Sequence, residues 1–216
     1  MLELAIKTLV AYLVGSLMGA LLLGTLKGVD IRALGSGNAG GTNALRTQGT
    51  WFALGVVLID VTKGWFAAGV LPGLSLAGVE IDPAVDRAWL TVCCGAAVTL
   101  GHVYPVWYEF RGGKGAATLI GVLLGIAPRT LLPILIVWLC VVLLTGYVGL
   151  GTMLGALALP VTVWLRGPYE TSLLTFTVAM ALLVVYTHRS NIARMRAGTE
   201  NRARRLWLLR GWSAGP

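Results

Sequence analysis

From residue 2 to residue 186 the chain is a succession of apolar stretches separated by short polar ones. Seven such segments stand out, at roughly 2–26, 50–71, 87–101, 115–127, 130–146, 148–165 and 171–186. A helix needs about 20 apolar residues to cross bilayer hydrocarbon, and fewer where it is a partial helix packed within protein. A soluble core cannot absorb them all: only 12% of the 216 residues are charged, against roughly 25% in a soluble domain. The pattern predicts an all-α polytopic membrane protein of about seven spans. The fourth stretch, stopped by Pro128 and Arg129, reads as tilted or partial.

The first stretch exceeds the apolar core of a signal peptide, and Glu3 beside Lys7 leaves no net positive region before it, so it reads as a retained helix. Charge then orients the spans. The 27–49 loop carries Lys27, Arg32 and Arg46 against Asp30, and the 102–114 loop carries Arg111 and Lys114 against Glu109. The tail from Thr187 holds Arg189, Arg194, Arg196, Arg202, Arg204, Arg205 and Arg210 against Glu200 alone. The 72–86 loop has Glu80, Asp82 and Asp86 and neither Lys nor Arg. An odd number of spans puts the three basic segments on one side, which the positive-inside rule makes cytoplasmic, with the N-terminus external and the C-terminus cytoplasmic. Arg129 and Arg166 fall on the other side in this scheme.

The net charge of +8 would suggest nucleic acid in a soluble protein. Here the cations lie between and after apolar segments, so the expected partners are membrane lipids and phosphate-bearing molecules, with no nucleic acid. Cys93, Cys94 and Cys140 sit in apolar stretches without metal-ligand spacing and read as small helix residues. No metal and no cofactor is expected. Residues 1–200 read as one membrane domain and 201–216 as a basic cytoplasmic tail.

The chemistry is concentrated in the loops. GSGNAGGTNALR, residues 35–46, combines glycines that admit left-handed backbone with Ser36, Asn38, Thr42, Asn43 and the planar fork of Arg46. Successive N–H groups in such a turn, here around Gly37, make an anion-binding concavity. In the third loop, Arg111-Gly112-Gly113-Lys114-Gly115 leads straight into an apolar helix, so backbone donors, a helix N-terminus and an ammonium converge. The spacing is not that of a nucleotide P-loop, and no strand precedes it. His102 precedes this turn, and Tyr104, Trp107 and Tyr108 nearby read as interface anchors. If the last helix runs on, His188, Asn191 and Met195 share one stripe. Asp60 and Lys63 inside the second span are either a structural ion pair or a site-lining one. GYVGLGT, residues 146–152, is a short uncharged loop whose hydroxyl is Thr152.

Taken in order, GSGNAGGTN-x-x-R, D-x-x-KG, GH-x-x-P…F-x-GGKG-x-AT and H-x-x-NI-x-R-x-x-x-G-x-E resemble the motifs of the bacterial acyl-phosphate:glycerol-3-phosphate acyltransferase family, PlsY, across nearly the whole chain. The resemblance implies a seven-span inner-membrane enzyme with a cytoplasmic active site. Its members move a fatty acyl group from acyl-phosphate to the 1-hydroxyl of glycerol 3-phosphate, giving lysophosphatidic acid and inorganic phosphate. By position, Ser36, Arg46, Lys114, Thr152, His188 and Asn191 match residues that bind substrate or support catalysis in the family. Ser36, Lys114, His188 and Asn191 are the expected catalytic set. Gly37, Asn38, Thr42, Asn43, Lys63, His102, Gly112, Gly113, Gly115 and Arg194 complete the expected substrate-binding set. Where the family usually has two serines in the loop before the sixth span, this chain has Gly149 and Thr152.

Acyl-phosphate is already activated, so orientation and oxyanion stabilisation carry most of the catalysis. A His-x4-Asp pair is absent, since Trp107 and Ala193 stand where the Asp would follow His102 and His188. The expected roles are phosphate clamps for Arg46 and Lys114, and orientation of glycerol 3-phosphate by His188 and Asn191. The proton goes either to a substrate phosphate or to His188. Two other readings remain at this level: an anion or lipid-phosphate transporter, supported by Asp60, Lys63 and the Pro128 break, and a structural membrane subunit, which leaves the glycine loops unexplained.

Overall fold

The computed structural model describes residues 1–168, 170–204 and 206–211. It is 73% helical, with no strand among the described residues. Arg205 and residues 212–216 of the basic tail lie outside the described residues. The chain divides into two compact units, Met1–Pro128 and Arg129–Pro216.

The first unit contains α1 (Leu2–Gly15), α2 (Gly19–Leu26), α3 (Gly41–Gln48), α4 (Thr50–Trp65), α5 (Arg87–Val103) and α6 (Ala116–Ile126). A π turn at Phe66–Val70 and a 3-10 turn at Leu71–Gly73 extend α4. The second unit contains α7 (Leu131–Thr145), α8 (Val148–Arg166), α9 (Thr171–Thr187) and α10 (Arg189–Arg196). Thr50–Gly73, Arg87–Tyr108, Pro128–Thr145 and Val148–Arg166 are long and apolar enough to cross a membrane. Two bent pairs also qualify when each is taken as one span: α1 with α2, bent by 46°, and α9 with α10, bent by 48°. The fourth sequence stretch forms α6, a shorter apolar helix of 11 residues.

The structure departs from the expected run of the first span. α1 stops at Gly15, Met18 is extended (φ −84°, ψ 116°), and a new helix starts at Gly19. Such a break frees backbone groups that lipid cannot satisfy, so protein has to.

Glycine sets how closely the helices approach. A Cβ on Gly15 of α1 would lie 2.2 Å from Val98 O of α5, and one on Gly101 of α5 would lie 2.2 Å from Tyr12 O. On α6, a Cβ at Gly121 would lie 1.9 Å from Val61 O of α4, and Gly125 meets Gly69 in the same way. Small residues let membrane helices gain dispersion contact where no hydrophobic effect drives them together. Gly121→Ala should therefore force α4 and α6 apart, at about 1–3 kcal/mol for an overpacked contact. Gly73→Ala, with nothing within 4 Å of the added carbon, is the control in thermal unfolding. Equal melting of the two variants would contradict this packing.

Glu3 and Lys7, which in the sequence only argued against a leader, form a buried ionic cluster in the structure. Glu3 is 1% exposed. Lys7 Nζ donates to its Oε1 at 2.7 Å and to Pro72 O at 2.7 Å. The Arg87 guanidinium takes both Glu3 oxygens at 2.7 Å, and Asp82 N–H donates to Oε2 at 2.9 Å. Every member is paired, which is the condition under which a buried charge is tolerated. The N-terminal ammonium pairs with Asp82 beside it.

Candidate active site

The first glycine loop is braced by one side chain. Asn43, 1% exposed, accepts the Ser36 N–H at 2.9 Å through Oδ1. Its Nδ2 donates to Ile31 O at 3.2 Å and Leu34 O at 2.9 Å. Gly35, at φ +57°, passes so close that a Cβ would lie 2.4 Å from Asn43 Oδ1. Asn43, expected to touch substrate, thus has its amide committed to holding the loop. The loop opens into α3, whose N-cap is Gly40 and which has no side-chain cap. The N–H groups of Gly41, Thr42 and Asn43 therefore have no intrahelical acceptor. Arg46 on α3 is exposed and has no hydrogen-bond or ion-pair partner among the described residues. Arg32 is different: it binds Asp30 at 2.8 Å and holds that carboxyl below its usual range chiefly by this hydrogen bond.

The third loop folds back on the end of α5. Gly112 N–H donates to Val103 O at 3.1 Å and Gly113 N–H to His102 O at 3.0 Å. A Cβ on Gly112 would lie 2.1 Å from His102 O, and one on Gly113 would lie 2.2 Å from His102 Nε2 and 3.1 Å from Ala39 O of the first loop. Gly112 and Gly113, expected to cradle an anion, shape the turn itself. Their donors close the turn, and their lack of a side chain lets the two loops meet. The N–H groups of α6's first turn have no intrahelical acceptor and no side-chain cap. They follow Gly115, left-handed at φ +85°, with half-buried Lys114 beside them. Thr118 Oγ1 in the same turn is buried without a partner.

Beneath the loops sits a buried polar cluster. Lys63 Nζ donates to Gly15 O and Leu17 O, both at 2.9 Å, and pairs with Asp60 Oδ1 at 2.9 Å. Asp60 Oδ1 also accepts Gly19 N–H at 3.2 Å. These are the backbone groups released where α1 breaks into α2. Lys63, expected to bind substrate, seals that break in the structure. Between the two readings of Asp60 and Lys63, this is the structural one. His102, 2% exposed, has Nδ1 3.0 Å from Lys63 Nζ and 3.4 Å from Asp60 Oδ1. A carboxylate and an ammonium therefore both lie beside this histidine, from another helix, where spacing along the chain cannot reveal them.

In the second unit, the stripe expected from a continuous last helix is bent at His188. His188 Nδ1 donates to Val184 O at 2.7 Å, which leaves the lone pair of the neutral ring on Nε2. Asn191 Nδ2 donates to Glu200 Oε1 at 2.7 Å, and Arg194 Nε donates to Oε2 at 2.6 Å. Gly198, at φ +70°, turns the chain back so that Glu200 reaches them. Arg194 is thus ion-paired, and Glu200, a motif residue without an assigned role in the sequence reading, organises this corner. Its spacing from Asn191 and Arg194 across a glycine was the available signal. Thr152 Oγ1 donates to Val148 O at 3.0 Å within α8. A Cβ on Gly149 would lie 2.7 Å from Asn191 Nδ2, so the glycine that replaces the family's usual serine makes room for the Asn191 amide.

Comparison with known proteins gives one consistent result. The family model described as glycerol-3-phosphate acyltransferase matches residues 5–198. The glycerol-3-phosphate acyltransferase of Geobacter sulfurreducens is 42% identical, covering 94% of this chain and 98% of its own. That of Chlorobaculum tepidum is 38% identical over 89% of this chain and 93% of its own. Among solved structures, PlsY (YgiH), an integral membrane glycerol 3-phosphate acyltransferase in its glycerol 3-phosphate form, is similar with a TM-score of 0.81. It is 34% identical, over 92% of this chain and 94% of that one. The lysophosphatidic acid form of the same protein gives a TM-score of 0.78.

Proposed function

This chain belongs to the glycerol-3-phosphate acyltransferase family, and on that premise we propose that its acyl donor is an acyl-phosphate. The acyl group goes to the 1-hydroxyl of glycerol 3-phosphate, giving lysophosphatidic acid and inorganic phosphate. The observation that carries the reading is that the two glycine motif loops of the first unit each run into a helix, α3 or α6, whose N-terminus has no side-chain cap. Each is opened by glycine; Lys114 directly precedes the glycine that opens α6, and Arg46 lies on α3 itself, in its last turn. Helix N-termini bind anions through free N–H groups and the positive end of the dipole. Two such places suit a reaction in which both substrates bear a phosphate.

In the proposed step the 1-hydroxyl oxygen bonds to the acyl carbon and the bond from that carbon to the phosphate oxygen breaks. The hydroxyl proton leaves for a phosphate oxygen of the substrates or for His188 Nε2. Since the leaving group is already good, the residues serve mainly to orient the reactants and to stabilise charge. Ser36, Arg46, Lys114 and Thr152 act as substrate contacts, and His188 and Asn191 orient glycerol 3-phosphate. Asp60 and Lys63, the sequence features that favoured a transporter, seal a helix break instead. The basic loops support an inner-membrane enzyme of seven spans with its site on the cytoplasmic face, where phosphorylated metabolites are found.

The test is to give the purified protein glycerol 3-phosphate with palmitoyl phosphate, and in parallel with palmitoyl-CoA. The expected result is equimolar phosphate and 1-acyl lysophosphatidic acid from the first donor and no product from the second. Product from palmitoyl-CoA alone would overturn the choice of donor.

A further inference from the structure

The family match ends at residue 198, yet the described chain beyond it is folded onto the second unit. Ala203 N–H donates to Gly146 O at 2.7 Å, and Trp207 Nε1–H donates to Leu144 O at 3.1 Å. Gly146, left-handed at φ +76°, lies where a Cβ would be 3.1 Å from Arg202 Cβ and 3.2 Å from Trp207 Cβ. The segment therefore docks on the turn between α7 and α8. Arg202 does not project freely as the positive-inside pattern suggests. Its guanidinium lies over the Trp207 ring at 4.1 Å and the Tyr147 ring at 4.6 Å.

That stacking has a chemical consequence. A cation held by aromatic rings alone keeps its N–H donors for an anion. Arg202 has no hydrogen-bond or ion-pair partner among the described residues, and no acidic residue occurs from 201 to 211. Beside it opens an apolar cavity of about 440 Å³, lined by Leu144, Leu150, Tyr147, Trp207 and Leu209. The cavity lies at the end of α7, on an apolar face where Leu144 is itself 55% exposed. In a bilayer that face is covered by acyl chains, and the helix end lies at headgroup depth. Leu206 and Leu208 are exposed as well, 45% and 71%, interleaved with Arg202 and Arg204 in the pattern of a segment lying in the interface.

We propose that Arg202, Trp207 and Leu209, with the α7–α8 turn, bind one anionic bilayer phospholipid, its phosphate on Arg202 and an acyl chain in the Leu144–Leu150–Leu209 groove. None of these residues is assigned to acyl transfer, and the occupant is a resident lipid of the membrane.

The test is native mass spectrometry of the delipidated full chain titrated with phosphatidylglycerol or with phosphatidylcholine of the same chains. Wild type should retain one phosphatidylglycerol with a preference of roughly fivefold, the attraction of one surface arginine for an anionic headgroup. Arg202→Gln should abolish the preference while acyl transfer in neutral detergent stays unchanged. Leu209→Ser, a surface change, should loosen both lipids, so the site stays testable if R202Q fails to fold. An undiminished preference in R202Q would overturn the proposal. So would displacement of the lipid by millimolar inorganic phosphate, which would mean a site for soluble anions, or by equimolar lysophosphatidic acid, which would mean a product site.

Discussion

Lys63→Met is expected to lower the thermal stability of the purified protein by about 3–5 kcal/mol, the usual cost of removing one partner from a buried ion pair. Lys63 Nζ has its partners in Gly15 O, Leu17 O and Asp60 Oδ1. Methionine matches the stem but returns nothing to the two carbonyls and leaves Asp60 charged inside the protein. Asp60 is already short of partners, since Oδ2 has none. The double change Asp60→Asn with Lys63→Met removes the orphaned charge and should recover part of the loss, because residues in one network do not add independently. A single variant that melts with wild type would mean that the break between α1 and α2 is held by something else. The prediction also separates structure from binding. A lysine that clamped substrate would change KM with little effect on melting, and the opposite is expected here.

Lys114→Ala should cost roughly 10- to 150-fold in kcat/KM, the range for hydrogen bonds to a charged group. Lys114 stands where the left-handed Gly115 opens α6, so its ammonium adds to the donors of that helix's first turn. Lys114→Arg keeps the charge but changes its shape and should recover only part of the rate. Arg32→Ala is the comparison variant: Arg32 lies in a glycine loop too and is ion-paired with Asp30. Steady-state kinetics with each substrate varied in turn would show which phosphate Lys114 holds. Unchanged kcat and KM in Lys114→Ala would remove the clamp from the mechanism.

The helices and the glycine loops were legible because their signals are local. Length and apolarity define a span, and Gly, Asn, Ser and Arg in a dense run define an anion-friendly turn. Gly112 and Gly113 show where this stops. Their presence was readable, but not whether their N–H groups faced a ligand or the carbonyls of His102 and Val103. Asn43 is similar: a polar side chain in a polar loop, which the fold commits to the loop's own backbone. Glu200 was in plain view inside a motif, and only the turn at Gly198 brings its carboxylate to Asn191 and Arg194.

The sequence by itself determined the solvent of this protein, its helical class and the segments that gather its polar chemistry, since all three follow from which residues are neighbours along the chain. The tertiary structure decided which polar groups remain available. It broke the first span at Ser16–Met18, set Lys63 against the carbonyls that break exposed, brought Asp60 to His102 from another helix, and laid Arg202 over two aromatic rings. Away from water each backbone donor and acceptor needs a partner, and that partner is chosen by distance in space, which spacing in sequence does not fix.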